Sequence, residues 1–491
     1  MPSLLAGALV FFTSAAVLVL EILAGRLLAP YVGVTLETFT GIIGVVLARV
    51  AFGTRSGGRL ADRVDPRTTL APMLIIGGAF GVASLPLVRV FGNAGLGSGP
   101  VAIVLLATVG FFLPSAILSA VSPTVVKLQL SSLEETGAVV GWLSALGTIG
   151  GLFGTFVTGF LLVATAPTPP IIYGVGGALI LSGLLLWPYL HKESNNPAMI
   201  AAAVVLALGS GALGQLIGSP CQLESAYFCA SVSVDPERPT GRLLVLDQLR
   251  HSYVDLQDPT HLEFTYAQAM SHVLETFRPP GEPLDVLHIG GGGFSLPQYL
   301  EVTRPGTFSR VLELDDAMVA LAEDELGLEL GEDLQAVTGD ARINLQAESD
   351  DAYDLVIGDA FGGQAVPWHL TTVELLEDVQ RVLRSDGVYA INLIDYGNLG
   401  FARSEAATLQ AVFDHVAIIA PPERIARRDG GNFIMVAADV PIDVEAIAQH
   451  ALDTADDDVV ITGAEVDDFV GDGMVLTDEF APVDQLMTPL T

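Results

Sequence analysis

Basic residues are scarce in this sequence. It has 22 lysines and arginines against 56 acids, a formal net charge of −34, and only two lysines, Lys127 and Lys192. So acidic a surface repels phosphate backbones, which excludes nucleic acid as a natural ligand. Because arginine is kept while lysine is lost, the composition indicates a halophilic protein, since salt screens acidic self-repulsion. An acidic protein of an ordinary cytoplasm is the alternative.

Cysteine is nearly absent as well. Cys221 and Cys229 are the only two, with seven residues between them. A disulfide would suit an external face of a membrane, and two buried thiols fit the spacing equally well. Two cysteines without nearby histidines do not complete a tetrahedral ligand set, so no metal site is predicted.

Long apolar stretches with few charges fill residues 1–218. Stretches of about 18 or more apolar residues can cross a hydrocarbon core about 30 Å thick. The first is not a cleaved signal peptide, because it lacks a basic n-region and further spans follow it. We therefore predict a multi-pass domain in the cell membrane, with the lipid bilayer as partner. Its seven spans are 4–28, 38–54, 68–91, 100–122, 138–165, 168–189 and 197–218.

The basic residues of this half predict its orientation. The most basic segment lies between the second and third spans and is expected to be a cytoplasmic loop. Lys127 and Lys192, after the fourth and sixth spans, agree with this. Seven spans then place the C-terminal half outside, away from any intracellular nucleotide, so its side is left open. The four arginines of the segment are Arg55, Arg59, Arg63 and Arg67.

Two charges lie inside the first span. Glu21 and Arg26 are five positions apart. Charges within a membrane are costly and mark polar sites, although a pair near the interface can also snorkel towards water. Both interpretations are kept.

The remaining chain predicts a small antiparallel lead-in sheet over 221–262 and an α/β doubly wound, Rossmann-type domain over 263–440. The lead-in has short alternating segments, and a helix follows at Glu263–Phe277. Strands and helices then alternate, which is typical of a doubly wound parallel sheet. Residues 441–491 form an acidic C-terminal segment without assigned chemistry. The predicted strands of the domain are 284–290, 308–314, 334–338, 353–359, 387–394, 413–419 and 432–437.

A glycine run follows the first of these strands, in the sequence LDVLHIGGGG at 284–293. Glycine lets the backbone turn sharply and approach a ligand closely. The second strand ends at Glu313, where an acid can accept hydrogen bonds from ribose hydroxyls. These features predict a nucleotide-type ligand, and an ordinary turn with a solvated acid is the alternative.

Two further acids follow the next strands. Asp340 ends the third strand and Asp359 ends the fourth. Carboxylates converging on one sheet edge favour a cationic or hydroxylated ligand, and a desolvated carboxylate can take a proton from an amine. For each acid alone, an N-cap of the following helix is an equally good interpretation.

The segment 242–395 resembles spermidine synthases, the aminopropyltransferases of methyltransferase-like fold. Its motifs are LLVLD at 243–247, VLHIGGGG at 286–293, LELD at 312–315, GDARINL at 339–345 and YDLVIGDAF at 353–361. The whole chain is still more similar to the membrane-fused members of that group. Those share the pattern Glu21, Arg26 and Pro30, the GGRLADR segment at 57–63, a VPWHLTT-like segment at 366–372 and the C-terminal TDEFAPVDQL.

This resemblance implies a donor, decarboxylated S-adenosylmethionine or S-adenosylmethionine, and a small cationic amine such as putrescine. It implies no metal, and a homo-oligomer is left open. Asp359 would deprotonate the attacking amine and Tyr266 would position it. His369 is interpreted either as a proton relay or substrate contact, or as a packed residue capping the next helix. The implied donor-binding residues are Gly290, Gly291, Gly292, Glu313 for the ribose, Asp340 for the adenine amino group, and Ala341.

Two departures concern the amine. Soluble spermidine synthases have an acid where this chain has Gly293, and another where it has Gly362 and Gly363. Each lost charge-assisted hydrogen bond is worth roughly 1.5–3 kcal/mol, so amine binding weakens unless Asp395 or Glu224 substitutes. Aminopropyl transfer is the leading interpretation. Methyl transfer, and a non-catalytic amine transporter or sensor, are the alternatives.

Overall fold

The computed structural model describes residues 1–97, 99–130, 136–190, 197–363 and 365–487. The chain forms two compact units. We call residues 1–231 with 246–249 the helical unit, and residues 232–245 with 250–491 the sheet unit. The division into four segments predicted from the sequence, 1–218, 221–262, 263–440 and 441–491, remains a prediction.

The helical unit consists of long helices around one apolar core. Its helices are α1 (Ser3–Val32), α2 (Leu36–Arg63), α3 (Pro66–Gly92), α4 (Pro100–Ser119), α5 (Val121–Gln129), α6 (Thr136–Val157), a π-helix (Thr158–Leu162), α7 (Val163–Thr165), α8 (Thr168–Leu190) and α9 (Pro197–Leu216). Two short strands follow, β1 (Leu223–Glu224) and β2 (Cys229–Val234), which pair antiparallel.

Six helical segments in the described residues are long and apolar enough to cross a membrane, by length and composition. The predicted seventh span, 197–218, coincides with α9, a helix of 20 residues, which is about the length that a span needs. It stays a prediction. Insertion in a membrane remains a prediction. The six are Ser3–Val32, Glu37–Arg63, Pro66–Gly92, Pro100–Gln129, Thr136–Thr165 and Thr168–Leu190.

The predicted arginine loop is wrong, because α2 continues to Arg63 and α3 begins at Pro66. Gly53 and Gly57 of α2 lie where it packs closely against the chain at Ala116 and Ala120. A Cβ atom would lie 2.1 Å from the Ala116 carbonyl oxygen at Gly53, and 2.6 Å from the Ala120 Cα at Gly57. Glycines four positions apart lie on one face of a helix and let a neighbouring backbone approach it. This spacing brings the two glycines to the same face only if the segment is helical. Lys192 lies outside the described residues.

Glu21 and Arg26 have different partners. The carboxylate of Glu21 lies 3.9 Å from the guanidinium of Arg49, which donates a hydrogen bond to the Phe111 carbonyl at 3.1 Å. Arg26 is 3.3 Å from the Glu224 carboxylate within the same unit. Glu21 and Arg26 therefore do not pair with each other.

The two cysteines form a disulfide, Cys221–Cys229. It closes the segment that carries β1, and the main-chain NH and the hydroxyl of Thr168 both donate to Glu224 of that strand. Of the two interpretations of the cysteines, the structure contains the bonded one.

The sheet unit contains an eight-stranded sheet, which consists of β5 to β12. The strands of the unit are β3 (Gly241–Leu246), β4 (Leu249–Asp255), β5 (Asp285–Ile289), β6 (Phe308–Glu313), β7 (Leu334–Thr338), β8 (Tyr353–Gly358), β9 (Leu383–Asp395), β10 (His415–Ala420), β11 (Gly431–Ala438) and β12 (Val459–Thr462). The helices are α10 (Thr265–Thr276), α11 (Ser295–Thr303), α12 (Asp316–Glu325), α13 (Ala341–Gln346), a 3₁₀ turn (Trp368–Leu370), α14 (Val373–Val382), α15 (Gly400–Val412), α16 (Pro422–Ile425), α17 (Val444–Asp453), α18 (Ala464–Val470) and α19 (Val483–Leu486).

The strand order is β12-β10-β11-β9-β8-β5-β6-β7. The pairs from β9 to β7 are parallel, with apolar helices on both faces, so the doubly wound α/β prediction is confirmed. The order of its strands reverses between β5 and β8, and ligands bind such sheets at this switch point.

The other end of the sheet is antiparallel, which the prediction of a parallel sheet missed. β11 pairs antiparallel with both β9 and β10. Only residues 421–430 connect β10 to β11, which is shorter than the dozen or more residues that a parallel crossover needs. The C-terminal segment also joins this end, because β12 pairs antiparallel with β10.

Candidate active site

A glycine turn lies at the switch point, where β5 ends. Gly290 and Gly292 have positive φ angles of 97° and 52°. A Cβ atom on Gly290 would lie 2.5 Å from the Asp359 carbonyl oxygen, and the Asp359 main-chain NH donates to the Ile289 carbonyl at 2.9 Å. The structure therefore brings together the predicted glycine turn and the acid that follows β8.

The Asp359 carboxylate is partly buried and held by two donors. Asn392 Nδ2 donates to it at 2.9 Å, and the Tyr266 hydroxyl also donates to it. Burial raises the pKa of Asp359 to about 6, while the two hydrogen bonds oppose that rise. A carboxyl group with this pKa is mostly ionised at neutral pH, yet basic enough to accept a proton.

Tyr266 reaches Asp359 from the second residue of α10. Its hydroxyl is also hydrogen-bonded to Ser252 and Ser295. Burial and the neighbouring carboxylate raise the pKa of Tyr266 well above its ordinary value. The phenol therefore stays protonated and can keep donating to Asp359.

Asn392 is a site residue that the sequence analysis missed. It is 2% exposed in β9, and its Oδ1 accepts a hydrogen bond from Asn432 Nδ2 of β11 at 2.9 Å. This chain of two amides orients the Asn392 NH₂ group towards Asp359. A polar amide inside the apolar run YAINLI was the available signal, because a buried amide needs partners.

Glu313 is tied to the glycine turn. One carboxylate oxygen accepts from the main-chain NH groups of Gly291 at 2.9 Å and Gly292 at 3.2 Å, and the other accepts from Asp315 at 3.0 Å. Burial raises the pKa of Glu313, and these donors oppose the rise. Each carboxylate oxygen can accept more than one hydrogen bond, so this position is compatible with additional donors from a sugar diol.

Asp340 is the N-cap of α13, as one interpretation of the sequence predicted. One oxygen accepts from the Ile343 main-chain NH at 3.1 Å, and the other lies 3.4 Å from His369 Nε2. Ala341 is the first residue of that helix. The structure thus brings Asp340 and His369 together, whereas the side-chain partners of Asp359 are Asn392 and Tyr266.

The C-terminal segment supports this part of the site. Both terminal nitrogens of Arg342 donate to the Asp478 carboxylate at 2.6 Å, and the Thr372 hydroxyl donates to it at 2.8 Å. Arg342 also donates to the His369 carbonyl at 3.2 Å. The TDEF segment therefore fixes α13 against the turn that carries His369.

Gly293 packs against β4. Its main-chain NH donates to Ser252 Oγ at 3.0 Å, and a Cβ atom on Gly293 would lie 2.6 Å from Ser252 Cβ. Next to it, a Cβ atom on Gly292 would lie 2.8 Å from His251 Cε1. Burial lowers the pKa of His251 to about 4, so its ring is neutral. An acid at position 293 has no room unless β4 moves.

The two acids considered as substitutes have other partners. Asp395 is fully buried and accepts from the Phe401 and Ala402 main-chain NH groups at 2.9 and 3.0 Å, which caps α15. Glu224 lies in the helical unit, where Thr168 donates to it. In this structure Asp395 therefore caps α15, and Glu224 pairs within the helical unit.

A cavity of about 200 Å³ lies next to this network. Tyr266 and Asn432 line it, and both belong to the hydrogen-bonded chain that ends on Asp359. Among the charged residues that line the cavity, acids outnumber bases. The charged residues that line it are Asp456, Asp457, Asp458 and Arg424.

Comparison with known proteins identifies relatives of this chain. It is 31% identical over 163 residues to a polyamine aminopropyltransferase of Vibrio vulnificus, which covers 33% of this chain and 52% of the relative. It is 25% identical over 144 residues to the eEF1A lysine and N-terminal methyltransferase of Danio rerio, covering 28% of this chain and 21% of that protein. No protein-family model matches.

Among solved structures, a probable spermidine synthase from Corynebacterium glutamicum is 26% identical, with a TM-score of 0.49, and the match covers 54% of this chain and 96% of that one. The chain spans about half the length of the polyamine aminopropyltransferases that it matches. It is spermidine synthase-like, and those relatives are transferases.

Proposed function

We propose that this protein transfers an aminopropyl group from decarboxylated S-adenosylmethionine to a small amine such as putrescine. The observation that carries the proposal is Asp359. It follows β8 at the switch point of the sheet, beside the glycine turn, where burial raises its pKa to about 6 while two oriented donors oppose the rise. Its sequence relatives named polyamine aminopropyltransferase support the same assignment.

In this reaction the amine nitrogen attacks the donor carbon next to the sulfonium. A C–N bond forms, the C–S bond breaks, and its electron pair neutralises the sulfur to give methylthioadenosine. The Asp359 carboxylate takes the proton that the nitrogen loses. Tyr266 and Asn392 orient the carboxylate without competing for that proton, because both are donors to it.

The donor nucleoside is assigned to the glycine turn and the two strand ends beside it. Gly290 to Gly292 allow close approach, and Glu313 next to them accepts from the ribose hydroxyls. We assign Asp340 and Ala341 to the adenine, with His369 beside them. The amine would enter near Tyr266.

Methyl transfer from S-adenosylmethionine is the second candidate. Gly293 removes the acid that the family uses beside the donor, and Ser252 fills its place. One sequence relative is a methyltransferase. The relative affinity for the two donors distinguishes these functions, because decarboxylation removes a negative charge from the donor.

Membrane anchoring belongs to the same proposal. With the six long helices as spans and the arginine-rich end of α2 inside, both ends of the membrane domain lie inside, where the nucleotide donor is made. With α9 as a seventh span the sheet unit lies outside, which is the side that the Cys221–Cys229 disulfide favours.

The test uses the full chain in detergent and molar salt, incubated with decarboxylated S-adenosylmethionine and a series of amines. Methylthioadenosine should appear with wild type and should fall by about 10²-fold or more with Asp359→Asn, the range for a general base. Asp350→Asn, an exposed acid, is the matched control. No methylthioadenosine with any amine would refute the proposal.

A further inference from the structure

Three potential metal ligands lie at the border of the acidic cavity, outside the proposed catalytic groups. His272 of α10 is 1% exposed, and Asp456 and Asp458 belong to the connection between α17 and β12. His272 Nε2 is 3.2 Å from an Asp456 carboxylate oxygen. One ligand atom from each residue lies within 4.8 Å of the other two.

The orientation of the imidazole suits metal binding. His272 Nδ1 lies 3.0 Å from His450 Nδ1, so one of these nitrogens carries the shared proton. In this structure His272 Nε2 donates to Asp456, so Nδ1 accepts from His450. Metal binding requires the other tautomer, in which Nδ1 donates to His450 and the Nε2 lone pair is free for the ion. Histidines that bind metals usually donate their other ring NH in this way, which fixes the ring and its tautomer.

The surrounding charge also favours a cation. Asp456, Asp457 and Asp458 are consecutive and all line the cavity, where Arg424 is the single basic residue of the lining. The Arg424 guanidinium donates to the Asn432 carbonyl at 3.0 Å and also interacts with the Asp458 carboxylate, so it offsets part of the charge of the three aspartates. A cavity of about 200 Å³ has room for an ion with several waters, each occupying about 30 Å³.

We propose that His272, Asp456 and Asp458 bind a divalent transition-metal ion, with water completing its coordination. One imidazole and two carboxylates are a mixed nitrogen and oxygen set that suits Zn²⁺ or Mn²⁺. Ligand bonds of about 2.0–2.2 Å require the three side chains to draw closer on binding. The ion links α10 to the segment before β12, and so fixes one wall of the cavity that Tyr266 lines.

The test measures metal binding to the full chain, after chelation and in molar NaCl that screens the acidic surface. Mn²⁺ is titrated and its free fraction followed by electron paramagnetic resonance, and Zn²⁺ is titrated by calorimetry. One saturable site per chain is expected. His272→Gln and Asp458→Asn should each weaken it about 10-fold or more, and His261→Gln and Asp350→Asn should not.

Thermal denaturation provides a second readout that does not depend on activity. Mn²⁺ should raise the midpoint of wild type and both controls, and should raise that of His272→Gln clearly less at the same concentration. Asp458 is partly exposed, so Asp458→Asn keeps the test valid if the buried His272 variant misfolds. Absence of saturable binding, or binding that survives in both ligand variants, would overturn the assignment whether or not the protein transfers aminopropyl groups.

Discussion

Replacing Asp359 with asparagine should make the sheet unit more stable while removing activity. The pKa of the folded Asp359 is about 6 against an ordinary value of 3.8, because its carboxylate is desolvated. Keeping this group ionised in the folded state therefore costs about 3 kcal/mol at pH 8. Asparagine is neutral and can still accept the Asn392 and Tyr266 hydrogen bonds.

The stability difference between Asp359→Asn and wild type should increase with pH. Well below the ordinary pKa of 3.8 the wild-type carboxyl group is protonated in both states, so the electrostatic advantage of Asp359→Asn should vanish. It should grow as pH rises towards 6 and level off above, since the raised pKa makes ionisation destabilise the folded wild type. Hydrogen exchange of the β5 and β8 main-chain NH groups measures this locally in the full chain. An Asp359→Asn protein no more stable than wild type at pH 8 would refute the argument.

Three further predictions follow from the site and the cysteines. Asn392→Leu removes a donor to the Asp359 carboxylate, so the acidic limb of the pH–rate profile should move up by about 1–2 pH units; an unmoved limb would mean that Asn392 does not act on Asp359. Gly293→Ala places a Cβ atom against Ser252 and should lower stability by about 1–3 kcal/mol in thermal unfolding, and adding Ser252→Gly should restore most of it; additive effects would contradict this contact. Cys221 and Cys229 should react with a membrane-impermeant thiol reagent only after lysis and reduction, whereas labelling of reduced intact cells would place them outside.

The central sheet could be predicted because its signals are local. The apolar runs before Gly290 and before Asp359 are short, continuous and separated by helical patterns, which is typical of buried parallel strands. The glycine run predicted the turn, since Gly290 approaches the Asp359 main chain too closely for a side chain.

The antiparallel end was not predictable from the same signals. β12 has only four residues and lies in an acidic segment, so its apolar run is too short to stand out. The direction of β11 depends on the length of a connection, not on its strand residues, because parallel and antiparallel central strands have the same apolar composition. The extended α2 was missed because the arginines of 55–67 suggested a loop, whereas α2 continues to Arg63 and Gly57 packs against Ala120.

The partners of the site acids were the least predictable part. Asn392 and Asn432 are 40 positions apart and meet only because β9 pairs with β11. Asp395 follows a strand as Asp359 does, yet it caps a helix while Asp359 faces Tyr266. Spacing shows that an acid ends a strand, and only the fold shows which groups it meets.

The most direct test of the proposed function is the identity of the group that reaches the acceptor. The full chain should be given decarboxylated S-adenosylmethionine and S-adenosylmethionine in equal amounts, with putrescine, and the product analysed by mass spectrometry. Our account predicts an acceptor extended by one aminopropyl group in wild type, and a strong loss of it in Asp359→Asn. A methylated acceptor, or an aminopropyl product unchanged in Asp359→Asn, would contradict it.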